Sequence, residues 1–383
     1  MTVVETTPVS TNSSVNFDLA NLRSILVAKL DNIGDFILAT PFLRGLRRSA
    51  PKACISLLVT PAVFPVAESC PFVDRVLSVS KEGGTMQITG STQPVTKAIM
   101  VDFAAKKFDL AIVPRWDYDY FEAAALGRMS GARHVVGFSM AEWYRSKPPY
   151  AHHFTSTLSR PFAAHEVEHN LALLEFLGGT PQGDELELWM LPHEMKQATK
   201  RLAALPGEGP IVTICPGASL PCKMLPPRKL KSILYRVQAN IPEIRFLVLG
   251  QDSEKPTADF LTGELSHCFS FCGQTNIRQT IALIASTQAL IGMDSGPGHI
   301  AAAAEVPVAV FSCFGKNGNP IADYSPVRWR PRGKAESLVI QPEVSLWPCL
   351  NMCVAETHHC TTSILEEESA QAITDLVKRA IAV

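Results

Sequence analysis

Short apolar runs alternate with segments of helical periodicity along most of the chain. Residues 23–30 form an apolar run that fits a buried parallel strand, and residues 36–48 follow with apolar positions at helical spacing. Pro41 should kink that helix. Further strands are predicted over residues 54–59, 75–79, 109–113 and 135–138. This repetition is typical of an α/β fold, in which a parallel sheet carries helices on both faces.

The pattern stops after an amphipathic helix over residues 166–177 and restarts near residue 210. The stretch between them, residues 180–192, contains one glycine and two prolines and is predicted to be the domain linker. The restarted pattern predicts strands over residues 210–215, 244–250, 289–293 and 306–311, and helices over residues 228–241, 279–286 and 366–383. We therefore expect a flexible extension over residues 1–20 and two Rossmann-like domains over residues 21–185 and 186–383. The final helix could pack back on the first domain.

The balance of charge excludes one broad class of function. The chain has 35 Lys and Arg against 36 Asp and Glu, a formal net charge of −1. A general nucleic-acid binder would show a basic excess, so none is expected, although a local site for an anion remains possible. Residues 1–16 show no secretion signal, and no apolar stretch is long enough to span a membrane. A cytoplasmic protein is therefore expected.

The ten cysteines fall into two groups. Cys349, Cys353 and Cys360 lie within twelve residues, beside His358 and His359. They are a candidate structural metal site, while a disulfide or simple burial are open alternatives. The other seven are predicted to be packing residues, because free buried cysteine behaves as a small hydrophobe. These are Cys54, Cys70, Cys215, Cys222, Cys268, Cys272 and Cys313.

The loop after the first predicted strand reads Lys29-Leu-Asp-Asn-Ile-Gly-Asp35. Gly34 lets the backbone approach a ligand closely, and Asp35 lies at or near the start of a helix. Catalysis by Asp35 and plain capping of the helix are both open, since aspartate is a favoured N-cap. The dinucleotide-binding pattern of three spaced glycines is absent.

Two later loops are candidates for binding an anion at a strand-to-helix turn. Pro216-Gly-Ala-Ser219, with Lys223 after it, could hold a diphosphate through backbone amides, a hydroxyl and an ammonium group. Gly292-Met-Asp-Ser-Gly-Pro-Gly-His299 opens a helix with three glycines, a hydroxyl and an imidazole. An ordinary turn explains either loop taken alone. Neither matches a nucleotide-hydrolysing phosphate loop or a nucleophile elbow.

Basic and aromatic residues interleave over residues 115–120 and 143–147. Arg115 and Arg145 suit an acidic or sugar-containing acceptor, because guanidinium groups match phosphate and carboxylate geometry. A solvated loop is the alternative.

These loops, in this order, resemble those of the family-9 glycosyltransferases, the ADP-heptose-dependent heptosyltransferases of lipopolysaccharide assembly. The segment Gly273-Gln-Thr-Asn-Ile-Arg278 adds to the resemblance, which covers residues 23–335. The resemblance implies a GT-B fold, with two Rossmann-like domains facing a central cleft, the first binding the acceptor and the second the nucleotide-sugar. It implies inverting transfer of heptose from ADP-heptose to a lipopolysaccharide core or related surface glycan, with no metal required.

The resemblance also implies roles for individual residues. Asp35 matches the general base that deprotonates the acceptor hydroxyl. Glu254 matches a ribose contact and Thr275 an adenine contact. Lys29, Arg115 and Arg145 are expected on the acceptor side. The full set expected to bind the donor is Ser219, Lys223, Glu254, Thr275, Asp294, Ser295, Gly296 and His299. The chain departs from the family at Cys215, where a histidine is common.

Other functions remain open at this point. They are a GT-B transferase with another donor or with a protein or small-molecule acceptor, a nucleotide-sugar epimerase, and a catalytically inactive sugar-binding subunit. Peripheral membrane contact is conceivable at the helix carrying Phe42, Leu43 and Leu46 beside three arginines, although this apolar face equally suits core packing.

Overall fold

The chain divides into two units, Met1–Asp184 and Glu185–Val383, each built on one sheet. The computed structural model describes residues 17–82, 85–90, 108–117, 119, 121–139, 151–160, 163–320, 322, 324–347, 349 and 356–382.

The first unit contains a seven-stranded sheet in the order β4-β3-β2-β1-β5-β6-β7. Its neighbouring strands are parallel except β3 and β4, which pair antiparallel at one edge. The strands are β1 Ser24–Lys29, β2 Cys54–Val59, β3 Arg75–Glu82, β4 Thr85–Gly90, β5 Leu110–Ile112, β6 His134–Phe138 and β7 Ser156–Leu158. The helices are α1 Ile33–Ile37, α2 Thr40–Ser49, α3 Phe64–Ala67, α4 Ala123–Met129 and α5 Glu166–Phe176.

Proline divides the helical segment that follows β1. The helix α1 ends at Ile37 and α2 begins at Thr40, with Pro41 in its first turn, so the predicted kink is a break. Proline is tolerated in a first helical turn because the amide it lacks has no partner there. The apolar face with Phe42, Leu43 and Leu46 is buried in the first unit. Packing in the core therefore explains why this face of α2 is apolar, and membrane contact is not needed to explain it.

The second unit contains a parallel six-stranded sheet in the order β10-β9-β8-β11-β12-β13. The strands are β8 Ile211–Cys215, β9 Arg245–Val248, β10 Cys268–Ser270, β11 Ala289–Met293, β12 Val308–Phe311 and β13 Ser337–Ile340. The helices are α6 Pro192–Ala203, α7 Pro227–Asn240, α8 Lys255–Glu264, α9 Ile277–Ala285, α10 Gly296–Ala303, α11 Pro326–Trp329 and α12 Glu366–Ile381.

The final helix, α12, packs against α7 of the second unit. Ile373, Leu376 and Val377 are fully buried there, in a cluster that includes Ile233 and Leu234 of α7. Burial of each of these aliphatic side chains contributes roughly 1.5–3 kcal/mol of stability. This explains why the amphipathic helix packs on the second unit.

The structure confirms every strand predicted from apolar runs, with ends shifted by up to three residues. The patterns missed four strands, β4, β7, β10 and β13. Of these, β7 and β10 have three residues each and therefore too few positions to show a period. Six of the seven cysteines predicted to pack are buried, and Cys54 is half-buried. No helix in the described chain is both long enough and apolar enough to cross a membrane.

Each sheet has a point where successive connections change direction. In the first sheet it lies between β1 and β5, and in the second between β8 and β11. The loops at the carboxyl ends of strands on either side of such a point form the usual ligand crevice of an open α/β sheet. The candidate loops after β1, β8 and β11 all lie at these points.

Candidate active site

The loop after β1 is built around two buried charges of opposite sign. Lys29 and Asp31 are each 2% exposed, and Lys29 Nζ lies 2.8 Å from Asp31 Oδ2. Lys29 Nζ also donates to the Pro114 carbonyl at 2.9 Å, at the end of β5. Because a buried ammonium group is costly without partners, these contacts fix the lysine and the loop together.

Further charged groups from distant segments converge on the same loop. The guanidinium of Arg115 forms an ion pair with Asp31, and its Nε lies 2.8 Å from Asp117 Oδ1. Glu166, buried at the start of α5, has its Oε1 3.9 Å from Lys29 Nζ. Thr60, which follows β2, donates to the Asp31 carbonyl at 3.0 Å. The loop is thereby attached to the ends of both neighbouring strands and to α5.

Asp35 is the third residue of α1 and is half-buried. The N-cap is Asn32, so Asp35 lies in the first turn, where a carboxylate is stabilised by the helix dipole. Burial lowers the pKa of Lys29, while the carboxylates of Glu166 and Asp35 oppose this shift. Asp35 therefore lies within electrostatic reach of the buried cluster.

The residues expected on the acceptor side differ in their surroundings. Lys29 is enclosed, with its ammonium group directed at Asp31 and Pro114. Arg115 retains 15% exposure while paired with carboxylates. Arg145 lies outside the described residues.

In the second unit, the loops after β8 and β11 approach each other through backbone and small groups. Ser295, the N-cap of α10, donates from Oγ to the Gly217 carbonyl at 3.2 Å. A Cβ placed on Gly292 would lie 3.0 Å from the Cys215 carbonyl oxygen, so glycine permits the close contact of β11 with β8. Because α10 begins at Gly296, just after β11 ends at Met293, its first amides lie at the carboxyl edge of the sheet, as in helix-terminal anion sites.

Lys223 lies in a short 3₁₀ turn, Pro221–Lys223, and is half-buried. Its Nζ is 4.5 Å from the centre of the Tyr324 ring, and among the described residues it has no salt bridge within 4 Å. Asp294 is buried, and burial raises the pKa of its carboxyl while the charge of Lys223 opposes the increase. The turn therefore presents a positive charge that no carboxylate of the described residues contacts within 4 Å.

Glu254 belongs to the loop after β9 and lies against Gly217 of the loop after β8. Its Oε2 accepts from the Gln251 amide at 2.7 Å, and its Oε1 accepts from Ser253 Oγ at 2.6 Å. A Cβ placed on Gly217 would be 2.8 Å from Glu254 Cδ, and one on Gly250 would be 2.9 Å from Glu254 Cβ. A side chain at either position would clash with Glu254, so both glycines are needed for its carboxylate to occupy this position.

The remaining residues predicted to bind the donor also follow strands of the second sheet. Thr275 comes after β10, and its hydroxyl lies 2.9 Å from that of Thr280. Ser219 is exposed in the loop after β8, Gly296 begins α10, and His299 is buried within α10. The sheet thus brings Ser219, Lys223, Glu254, Asp294, Ser295, Gly296 and His299 to the ends of three adjacent strands, β9, β8 and β11, with Thr275 after the next, β10.

Cys215, at the family's histidine position, is buried at the end of β8, and burial raises the pKa of its thiol. It behaves as a packing residue. Its carbonyl, rather than its sulfur, contacts the next loop at Gly292.

The C-terminal candidates form a cluster in which histidine takes part. Cys349 Sγ, Cys360 Sγ and His359 Nδ1 all lie within 4.8 Å of one another. Cys353, the third cysteine of the predicted site, lies outside the described residues.

Sequence reasoning missed several groups that shape these loops. Asp31 and Glu166 hold Lys29, and Tyr324 contacts Lys223. Asp31 lies within the first candidate loop but was given no role, whereas Glu166 and Tyr324 come from parts of the sequence that carried no motif. The sequence offered one signal for Asp31, because this aspartate follows Lys29 by two residues at the end of a predicted strand. His359 stands beside the cysteines in the sequence, but the predicted ligand set contains only the three cysteines.

Comparison with known proteins gives one family. Residues 98–351 match the profile of glycosyltransferase family 9 (heptosyltransferase). Lipopolysaccharide heptosyltransferase 3 of Escherichia coli (strain K12) is 28% identical over 307 residues, which is 78% of this chain and 82% of the relative. Lipopolysaccharide heptosyltransferase 2 of the same strain is 23% identical over 295 residues, 74% of this chain and 81% of the relative.

Solved structures show the same fold. The glycosyltransferase family 9 protein of Veillonella parvula DSM 2008 superposes with a TM-score of 0.73 at 19% identity, covering 96% of this chain and all (100%) of that one. The ADP-heptose LPS heptosyltransferase II of E. coli gives a TM-score of 0.67 at 19% identity, covering 93% and 99%. The GT-B class with its two Rossmann-like domains is confirmed. With two thirds of its length matched by the family profile, the chain belongs to glycosyltransferase family 9, the heptosyltransferases.

Proposed function

We propose that this heptosyltransferase transfers heptose from ADP-heptose to a hydroxyl of a lipopolysaccharide core, with inversion at the anomeric carbon. The relatives named as lipopolysaccharide heptosyltransferases support the choice of acceptor. The name of the E. coli structure, an ADP-heptose LPS heptosyltransferase, supports the choice of donor. The proposal keeps the cytoplasmic location expected from the sequence, with a lipid-linked acceptor met at the inner face of the inner membrane.

The observation that carries the proposal is the position of Asp35. It is half-buried in the first turn of α1, the helix that follows β1. The neighbouring cations, Lys29 and Arg115, form ion pairs with Asp31. A carboxylate held in this way suits a general base, which removes the proton of the acceptor hydroxyl as its oxygen attacks the anomeric carbon. Inversion follows because the attacking oxygen and the departing diphosphate occupy opposite faces of that carbon.

The second unit would hold the donor and stabilise the leaving group. Lys223, the hydroxyls of Ser219 and Ser295 and the first amides of α10 would bind the diphosphate, in the loop that includes Asp294, Gly296 and His299. Positive charge and fixed dipoles stabilise developing negative charge without reorganisation, so we propose that the chemical step needs no divalent ion. Glu254 would contact the ribose, and Thr275 would lie near the adenine.

On the acceptor side, Arg115 and Lys29 differ in exposure. Arg115, with 15% exposure, would contact an anionic acceptor, and the family resemblance supports the same role for Arg145. Lys29 would act through the loop it holds, because its ammonium group is already bound by Asp31 and the Pro114 carbonyl.

A panel assay tests the proposal. The protein is incubated with ADP-, GDP- and UDP-sugars, with and without lipopolysaccharide core acceptor, and nucleotide release is followed by mass spectrometry. We expect ADP release that requires both ADP-heptose and acceptor, an inverted anomeric configuration in the product by NMR, and the same rate with or without added Mg²⁺. Release without acceptor would instead indicate an epimerase or hydrolase, and preference for another donor would replace ADP-heptose.

A further inference from the structure

The cluster near the C-terminus has the spacing of a metal site. Cys349 Sγ lies 3.5 Å and Cys360 Sγ lies 3.4 Å from the same atom, His359 Nδ1. In a tetrahedral zinc site, bonds of about 2.3 Å to sulfur and about 2.0 Å to nitrogen place these ligand atoms about 3.5 Å apart. Both cysteines are buried, at 6% and 1% exposure, and their sulfur atoms lie within 4.8 Å of each other.

We propose that Cys349, His359 and Cys360 bind one divalent transition-metal ion, and that this ion braces the turn that carries Lys223. Two thiolates and an imidazole are ligands that select zinc-like ions over Mg²⁺ or Ca²⁺, which prefer oxygen. All three ligands belong to the second unit.

The link to the Lys223 turn is made by the neighbours of the ligands. His358 Nδ1 and Thr361 Oγ1 both donate to the carbonyl of Met224, each at 2.9 Å. These two donors flank His359 and Cys360 directly in sequence. Fixing the two ligands therefore fixes the two donors, and with them the residue next to Lys223.

A third contact extends this brace. Lys229 Nζ, in the first turn of α7, donates to the Ile364 carbonyl at 2.5 Å. The segment 358–364 thus holds both ends of the stretch that runs from the Lys223 turn into α7. If Lys223 binds the donor diphosphate, as the proposed function assumes, loss of the ion should loosen the turn and weaken binding of ADP.

Metal content tests the site without any assumption about function. Wild-type protein is titrated with Zn²⁺ and with Co²⁺, and bound metal is measured by mass spectrometry and by the thiolate-to-cobalt absorption band. We expect about one ion per chain in wild type. Cys349→Ser and Cys360→Ser should lose the band, whereas Cys54→Ser should keep it, since Cys54 is a half-buried cysteine of the first unit. The wild-type titration needs no variant to fold.

Two results would overturn the metal assignment. One is wild-type protein that binds no more Zn²⁺ or Co²⁺ than the two serine variants do. The other is a Cys349–Cys360 disulfide, seen by peptide mass mapping, in freshly purified protein that takes up no ion before or after reduction.

Calorimetric titration with ADP tests the brace. Thr361→Val keeps the side-chain shape and the metal ligands but removes one donor to Met224, so it should retain the ion and bind ADP about tenfold more weakly. Lys223→Ala distinguishes the two proposals. If it leaves ADP affinity unchanged, the donor role of Lys223 fails while the metal result stands. If it weakens binding while Thr361→Val and Cys360→Ser bind ADP like wild type, the brace is wrong.

Discussion

The loop after β1 and the loops after β8 and β11 occupy equivalent places in two similar sheets, yet they are built from different groups. After β1, a buried ammonium group, a half-buried guanidinium group and buried carboxylates form ion pairs with one another. After β8 and β11, the contacts are those of glycines, hydroxyls and backbone carbonyls, and Lys223 lies over an aromatic ring. The charged groups of the first loop are paired mainly with one another, whereas the second loop has a lysine and helix-terminal amides at the carboxyl end of its sheet.

This difference matches what each side of a sugar transfer must do. A general base needs a fixed position and surroundings that do not change with the substrate, which a closed network of ion pairs supplies. A diphosphate brings its own charge, so its site needs uncommitted donors and space for close approach. The comparison therefore predicts that variants of the first loop alter rate and stability, and variants of the second alter donor affinity.

Removal of the proposed base should have the largest effect. Asp35→Asn keeps the shape of the side chain but cannot accept a proton, so kcat should fall by about 10³-fold, within the range for general-base catalysis. Affinity for ADP, measured by calorimetry, should stay near that of wild type. Glu175→Gln, an exposed change on α5, is the matched control and should leave kcat unchanged. Near-normal turnover by folded Asp35→Asn would remove Asp35 from this role.

Asp31 tests whether the buried network holds the first loop. Asp31→Asn removes the carboxylate shared by Lys29 and Arg115, and breaking a buried pair in this way typically costs about 3–5 kcal/mol. We expect a loss of free energy of unfolding near 3 kcal/mol in urea melts, because the amide can still accept hydrogen bonds.

The matched control for Asp31 is an exposed ion pair of the second unit. Asp252 is 81% exposed and lies 2.6 Å from Lys255 Nζ, so Asp252→Asn should leave the unfolding curve unchanged. Equal urea midpoints for Asp31→Asn and wild type would contradict a structural role for the network.

The sequence carried enough information to locate these loops but not to describe their contacts. Apolar runs identify strands, and the ends of parallel strands at a change of direction are where ligands bind, so Asp35, Lys223 and Asp294 could be selected in advance. The partners of Lys29 could not, because Pro114 is 85 residues away and Glu166 farther still. Such pairing depends on the order of strands in the sheet, and the local hydrophobic pattern does not predict that order.

A matched pair of glycines tests the close approach of the donor loops. A Cβ on Gly217 would lie 2.8 Å from Glu254 Cδ, whereas Gly263 on α8 has open space around it. Gly217→Ala should displace Glu254 and weaken ADP binding about tenfold, or 1.4 kcal/mol, by calorimetry. Gly263→Ala should bind ADP like wild type. Equal affinities for the two variants would show that the position of Glu254 does not matter for the nucleotide.

The smallest expected effect concerns Asp294. Like Asp31, it is a buried carboxylate in the loop that follows a strand at the change of direction in its sheet. Asp31 has two cations in contact, whereas Asp294 has no salt bridge within 4 Å among the described residues, and burial raises its pKa above 3.8. A carboxyl with a higher pKa in the folded state binds more protons when folded, so its contribution to stability declines as pH rises above 3.8. Asp294→Asn removes that decline.

The difference in free energy of unfolding between Asp294→Asn and wild type should therefore favour the variant more at pH 7 than near pH 4. Urea melts across this range measure it, with the exposed Asp259→Asn as control. Adding Lys223→Ala to both proteins should enlarge the pH dependence, because the charge of Lys223 partly offsets the effect of burial. A difference for Asp294→Asn that does not vary with pH would mean that this carboxylate is as well compensated as Asp31, and the contrast between the two loops would not extend to their acids.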